Sequence, residues 1–130
     1  MNVTQISVFL ENQPGRLTFL LSVLSDAGVN LRAMSVADSS EFGIVRVIVD
    51  DADKGYAAIH DSGMTASRTE VLRAEIPDEP GGLAKAIIEP LSEAGVNIEY
   101  SYAYSETTET NAIVVLKVDD LQKAMAALAQ

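Results

Sequence analysis

The chain has no cysteine and no tryptophan among its 130 residues. Without thiols it can form no disulfide, no thiolate metal site and no cysteine nucleophile. Aromatic residues are few, at 5 %. Basic residues are also scarce: nine Lys and Arg stand against nineteen Asp and Glu, for a formal net charge of −10. A chain so acidic repels phosphate backbones and anionic lipid, which argues against nucleic acid and membrane surfaces as partners. No apolar run approaches the ~20 residues that span a bilayer. The N-terminus lacks the basic segment and apolar core of a secretory signal, so the expected location is the cytoplasm. Against these absences, hydrophobic residues make up 48 % of the chain, which predicts a folded, soluble protein with one moderate core or two small ones.

What is present is a sequence that occurs twice. Pro14-Gly15-Arg16-Leu17, an apolar stretch and Leu24-Ser25-Asp26-Ala27-Gly28-Val29-Asn30-Leu31 are answered by a second set. That set is Pro80-Gly81-Gly82-Leu83, an apolar stretch and Leu91-Ser92-Glu93-Ala94-Gly95-Val96-Asn97-Ile98. The offset is 80 − 14 = 66 at the first block and 95 − 28 = 67 at the second. Ile44–Asp51 then answers to Ile113–Asp120 at 113 − 44 = 69, and Lys54, Ala57, Ala58 and Ile59 to Lys123, Ala126, Ala127 and Leu128. One residue is therefore inserted in the first helix of the second copy and two in a loop. Two copies of one folding unit are expected, with boundaries at 1–70 and 71–130.

Within each copy the pattern is legible. Residues 3–10 alternate as a strand, with Ile6, Val8 and Leu10 on one face. Pro14-Gly15 breaks it. Leu17, Leu20, Leu21 and Leu24 then take helical spacing, and Gly28 ends the helix as a left-handed cap. Residues 30–37 and 43–49 predict two strands, Asp50 or Asp51 caps a helix that ends before Gly63, and residues 65–72 predict a fourth strand. The order β-α-β-β-α-β is the ferredoxin-like unit. Thr69–Ile76 runs directly into the second copy, which predicts strand 71–77, helix 81–93, strands 97–104 and 112–118, and helix 119–129. Pro90 falls inside that first helix beside the inserted residue, where a bend and a local bulge are expected. The chain stops at Gln130 before an eighth strand, so the second sheet has three strands or borrows an edge. An uncovered edge invites pairing, and a dimer or other homo-oligomer is expected. The fold class is thus α+β: two ferredoxin-like units, the second lacking its last strand, packed side by side with antiparallel sheet and helices on one face.

Asn12-x-Pro14-Gly15-x-Leu17, an amphipathic helix and Ala27-Gly28-Val29-Asn30-Leu31 resemble the signature of the ACT domain, a small regulatory unit of amino-acid metabolic enzymes. Asp78-x-Pro80-Gly81-x-Leu83 with Ala94-Gly95-Val96-Asn97-Ile98 resembles it again, so the likeness covers nearly the whole chain. The resemblance implies a non-catalytic tandem regulator with no cofactor. It would bind a small amino acid at the seam between two units and act on an enzyme of amino-acid metabolism. Carried over by position, one site joins Asn12, Gln13, Pro14, Gly15, Arg16 and Leu17 to Asn97 and Ile98. The other joins Asp78, Glu79, Pro80, Gly81, Gly82 and Leu83 to Asn30 and Leu31.

The residue chemistry is compatible with such a ligand. Helix N-terminal N–H groups favour a carboxylate, glycine lets backbone approach closely, and an Asn amide can serve either charge of an amino acid. Asp78 replaces Asn12 and Gly82 replaces Arg16, so two unequal sites are expected. Plainer readings stand beside these. Pro-Gly is also an ordinary turn, Asn30 and Asn97 can simply tie down a loop, and Arg16 can be a solvated helix-start residue. Tyr100, Tyr102 and Tyr104 share a strand face as packing or as an aromatic wall. His60 is a lone surface histidine. Asp50, Asp51 and Asp53 lack the glycine and terminal Glu of a calcium loop and read as caps, not a metal site. Ser39–Glu41 and residues 105–110 read as solvated hairpin loops. No phosphate loop, dinucleotide fingerprint or convergent titratable cluster argues for an enzyme. The competing function is a constitutive protein-interaction module with no bound ligand.

Overall fold

The computed structural model describes residues 2–38, 42–104 and 111–129; the two hairpin loops read from the sequence lie outside them. Contacts divide the chain into two compact units, Thr4–Thr69 and Glu70–Gln130 with Met1–Val3. Strand β1 spans Asn2–Glu11, helix α1 Arg16–Asp26, β2 Leu31–Asp38, β3 Phe42–Val49, α2 Ala52–Asp61 and β4 Thr65–Pro77. A π-helical turn at Ala84–Ile88 leads into helix α3, Glu89–Glu93, followed by β5 Ile98–Ala103, β6 Asn111–Val118 and α4 Leu121–Leu128.

In the first unit the strands lie in the order β2-β3-β1-β4, that of a ferredoxin-like sheet. Both neighbours of β3 are antiparallel to it, with Ile6 opposite Val47 and Val8 opposite Val45. That register puts Ile6, Val8 and Leu10 on the same face as Val45, Val47 and Val49. Leu20 and Leu24 of α1 and Ile59 of α2 close over that face in one buried cluster. Each fully buried aliphatic side chain contributes about 1.5–3 kcal/mol relative to exposure, so this face organises the unit. Gly55 lets α2 approach the sheet: a Cβ there would lie 3.0 Å from Val49 Cγ2.

The second unit repeats the plan in the order β4-β6-β5. Leu72 pairs with Leu116 and Ala74 with Val114. Leu72, Ala74, Ile76, Leu116 and Val118 form a face covered by Ile87, Leu91 and Ala124. Among the described residues no strand follows α4; Asn2 and Val3 belong by contact to this unit, and the Asn2 side-chain amide donates to Glu70 Oε2 at 2.9 Å. Even the irregularities recur. A register shift interrupts the β2–β3 ladder between Leu31 and Ala33, and another interrupts β5–β6 between Ile98 and Tyr100.

The inserted residue is absorbed by the π turn, where the Glu89 N–H donates to the Ala84 carbonyl, five residues back. Pro90, which has no N–H to give, then sits in the first turn of α3. The bulge expected beside Pro90 is this turn. Among the described residues no helix is long and apolar enough to cross a membrane.

Candidate functional site

Each unit presents the same two candidate half-sites. The first is the loop from its first strand to its first helix. Asn12, Gln13, Pro14 and Gly15 are all exposed. The Gln13 N–H donates to the Glu11 carbonyl at 2.9 Å, and the Arg16 N–H to the Gln13 carbonyl at 3.3 Å. Gly15 takes φ 89°, a left-handed conformation that places it at the helix start with no side chain capping α1. Leu17 folds back against the buried cluster and anchors the loop.

The second unit copies this backbone. Asp78, Glu79, Pro80 and Gly81 are exposed, Glu79 N–H donates to the Pro77 carbonyl at 3.0 Å, and Gly82 N–H to the Glu79 carbonyl at 3.0 Å. Gly81 has φ 79°. The chemistry differs. Asp78 brings a negative charge where Asn12 is neutral. Leu83 is 38 % exposed. Gly82 is buried, and a Cβ there would collide with the Pro77 carbonyl oxygen.

The second half-site lies where the first helix gives way to the edge strand. Gly28 N–H donates to the Ser25 carbonyl and Val29 N–H to the Leu24 carbonyl, both at 2.9 Å. This pair of bonds with Gly28 at φ 74° closes the helix in a Schellman-type stop. Gly95 and Val96 make the same bonds to Ser92 and Leu91. The chain then reaches Asn30 or Asn97. The Asn30 N–H donates to Asp50 Oδ1 and the Asn97 N–H to Asp119 Oδ1. Both Asn side chains are exposed, and neither amide is bonded to another described residue.

A shallow cleft opens at this position in both units. Leu21, Ser25, Asn30 and Leu31 border one of about 310 Å³. Ile88, Ser92, Asn97 and Ile98 border its counterpart of about 400 Å³. Lys54 Nζ lies near Gly28, and Lys123 Nζ near Gly95, each 3.5 Å from the position a Cβ would take. An ammonium is thereby held at the C-terminal end of each unit's first helix, where the backbone dipole is negative. Ser25 and Ser92, which border the clefts, and the two lysines beside Gly28 and Gly95 are groups that the reading of the sequence did not single out. Their recurrence at the offsets of the repeat is the signal that marks them.

Other singled-out residues resolve into surface packing. Tyr100 and Tyr102 stack at 6.5 Å, and Arg73 lies 5.0 Å from the Tyr104 ring. His60 stacks on Tyr56 at 6.1 Å and is exposed, while Arg68 covers the same Tyr56 ring at 4.4 Å and pairs with Asp53 at 3.0 Å. Among the described residues no group of three or more His, Asp or Glu is placed to hold a metal.

A family model described as an ACT domain pair matches residues 1–129. A solved structure of a protein from Bacteroides thetaiotaomicron is similar, with 39 % identity and a TM-score of 0.92, over 99 % of this chain and 88 % of that one. The ligand-free regulatory subunit of aspartate kinase from Thermus thermophilus shares the fold at 19 % identity and TM-score 0.70, over 97 % and 88 %. The corresponding Thermus flavus subunit does so at 20 % and 0.67, over 97 % and 88 %. No curated protein sequence matches the chain.

Proposed function

The chain belongs to the ACT domain family as a domain pair, and from that premise we propose that it is a non-catalytic sensor that binds a small free amino acid and regulates an enzyme of amino-acid metabolism. In this reading each ligand site joins the β–α loop of one unit to the edge-strand Asn of another: Asn12–Leu17 with Asn97 and Ile98, and Asp78–Leu83 with Asn30 and Leu31. The protein is cytoplasmic and works as a dimer. The likeness to aspartate kinase regulatory subunits supports amino-acid sensing as the class of task.

The observation that carries the proposal is the duplicated Asn. In both units a neighbouring Asp uses its side chain and its own N–H to fix the Asn backbone. The amide is left exposed beside a shallow cleft, equipped to bond both charged groups of an amino acid. An Asn that only tied down its loop would spend its side chain on that task. The first loop is the stronger half-site, because Asp78 would repel a ligand carboxylate that Asn12 can accept.

Thermal shift across the twenty amino acids tests the reading, since a ligand that binds only the folded state raises the melting temperature. At least one amino acid is expected to do so, and Asn12→Ala with Asn97→Ala to abolish the shift. No shift with any of the twenty, or a shift indifferent to these substitutions, sinks the site; the first outcome favours a constitutive interaction module.

A further inference from the structure

Among the described residues, no strand covers one flank of β4 at residues 73–75 of the second unit. In the first unit the strand at the corresponding place, β1, has β3 on one side and β4 on the other. In the second, β6 pairs with Leu72–Pro77, and β1 meets the unit at Glu70, through Asn2. Beside Arg73, Ala74 and Glu75 lies a cleft of about 320 Å³, walled by Ala86, Ile87 and Leu128. Arg73 and Glu75 project from the face opposite Ala74, so a cleft that all three border runs along the side of the strand and not over a face. With β6 on the other side, this is the open flank.

The ladder directs backbone groups into that opening. Tyr104 N–H donates to the Ile113 carbonyl at 2.9 Å, so the peptide groups of Ile113 point away from β4. Its neighbours in β6 alternate. Ala112 and Val114 therefore bond to Ile76 and Ala74, while Glu75 and Arg73 stand in the pairs without bonds. The N–H and C=O groups of Arg73 and Glu75 face the open flank. An edge guarded against pairing carries like charges or a bulge; this one alternates Arg and Glu. Their counterparts at the repeat offset are Ser7 and Phe9, uncharged, on a strand with neighbours at both sides. Each charged side chain can take a further partner. Glu75 accepts from Asn111 through Oε2 at 3.1 Å, which leaves Oε1. Arg73 lies 5.0 Å from the Tyr104 ring, a contact with the guanidinium face that leaves its N–H edge.

We propose that this flank pairs with the same flank of a second copy of the chain, antiparallel, about a two-fold axis at Ala74. In that register Arg73 stands opposite the partner's Glu75, and the outward peptide groups of each pair exchange both hydrogen bonds. The same register sets two Arg–Glu pairs on one face of the joined sheet. On the other face it brings the small Ala74 side chains together beside the two clefts. Backbone and charge are thus self-complementary, as an isologous interface requires. A slip of register either way sets like charges opposite, Glu75 against the partner's Glu75 or Arg73 against the partner's Arg73. The inference rests on the dimer proposed above and needs none of its ligand residues.

Sedimentation velocity of the whole chain, at about 0.15 M salt and over a range of about 1 µM to 1 mM, tests this. A reversible dimer is expected. Arg73→Glu and Glu75→Arg each set like charges opposite and should weaken it at least about tenfold. Mixed in equal amounts, the two variants are complementary again, and a heterodimer of about wild-type strength is expected. Glu75→Pro removes an N–H that faces away from β6, so it should abolish the dimer with little change in the melting curve; it serves also if either charge reversal proves unfolded. A wild-type chain that stays monomeric overturns the proposal and leaves the flank to an extended segment of another protein. Variants that dimerise like wild type overturn it too, but leave the dimer standing on another surface. Reversals that weaken the dimer without rescue in the mixture refute this register. Amino-acid thermal shifts are read separately, so their absence counts against the sensor and not against this edge.

Discussion

Asp50 holds Asn30 by both ends of its peptide: Asn30 N–H donates to Asp50 Oδ1 at 2.9 Å, and Asp50 N–H returns a bond to the Asn30 carbonyl at 3.0 Å. Asp119 holds Asn97 in the same way, at 3.0 and 3.1 Å. Replacing Asp50 with Ala removes the acceptor while the Asn remains. The expected cost is about 1 kcal/mol, because the bond is charge-assisted but solvent-exposed. Denaturant titration measures it, and an unchanged midpoint would mean that the strand start is fixed without this bond.

The adjacent aspartates have a separate task. Asp51 accepts from Lys54 N–H at 3.1 Å and Asp120 from Lys123 N–H at 3.0 Å, each capping a helix. Asp51→Ala should destabilise by about 0.5–2 kcal/mol and Asp51→Asn by much less, since Asn caps nearly as well. Equal losses in the two variants would point to the charge instead of the cap.

Glycine substitutions should separate the two loops. At Gly15 an added Cβ meets nothing within 4 Å, and only the positive φ opposes it; Gly15→Ala should cost about 1–2 kcal/mol. At Gly82 φ is no obstacle, but the Cβ runs into the Pro77 carbonyl oxygen. Backbone must move, and Gly82→Ala should cost about 1–3 kcal/mol, with the second loop displaced. Equilibrium unfolding of both variants, with amide chemical shifts around Pro77, checks the distinction. Undisturbed shifts in Gly82→Ala would refute the clash.

Leu20 and Leu83 are both helix leucines, yet their truncation should differ widely. Leu20 is fully buried, and Leu20→Ala should cost about 2–5 kcal/mol through lost burial and the cavity left behind. Leu83 is 38 % exposed, and Leu83→Ala should cost less than about 1 kcal/mol. A large loss at Leu83 would show that it is covered in solution.

Much of the fold was readable because it depends on short-range signals that occur twice. Alternation in β1, leucine spacing in α1 and the Gly28 and Gly95 stops each act within a few residues. The Asp50-Asp51 doublet was readable only in part. Sequence indicates that one of them caps the helix, but not that the other reaches back twenty positions to Asn30. The insertion near Pro90 was visible as an offset of one, while its form as a π turn depends on which carbonyl the Glu89 N–H selects.

In a regular helix one extra residue turns everything beyond it by about 100°. The π turn at Ala84–Ile88 confines that slip to its own few residues. Upstream, the Asp78–Gly81 loop keeps the hydrogen bonds of its counterpart; downstream, so does the stop at Gly95 and Val96. The turn acts as a mechanical fuse. A change of length spends itself in mid-helix and reaches neither end, so the two copies can diverge in chemistry at those ends while their backbones stay interchangeable.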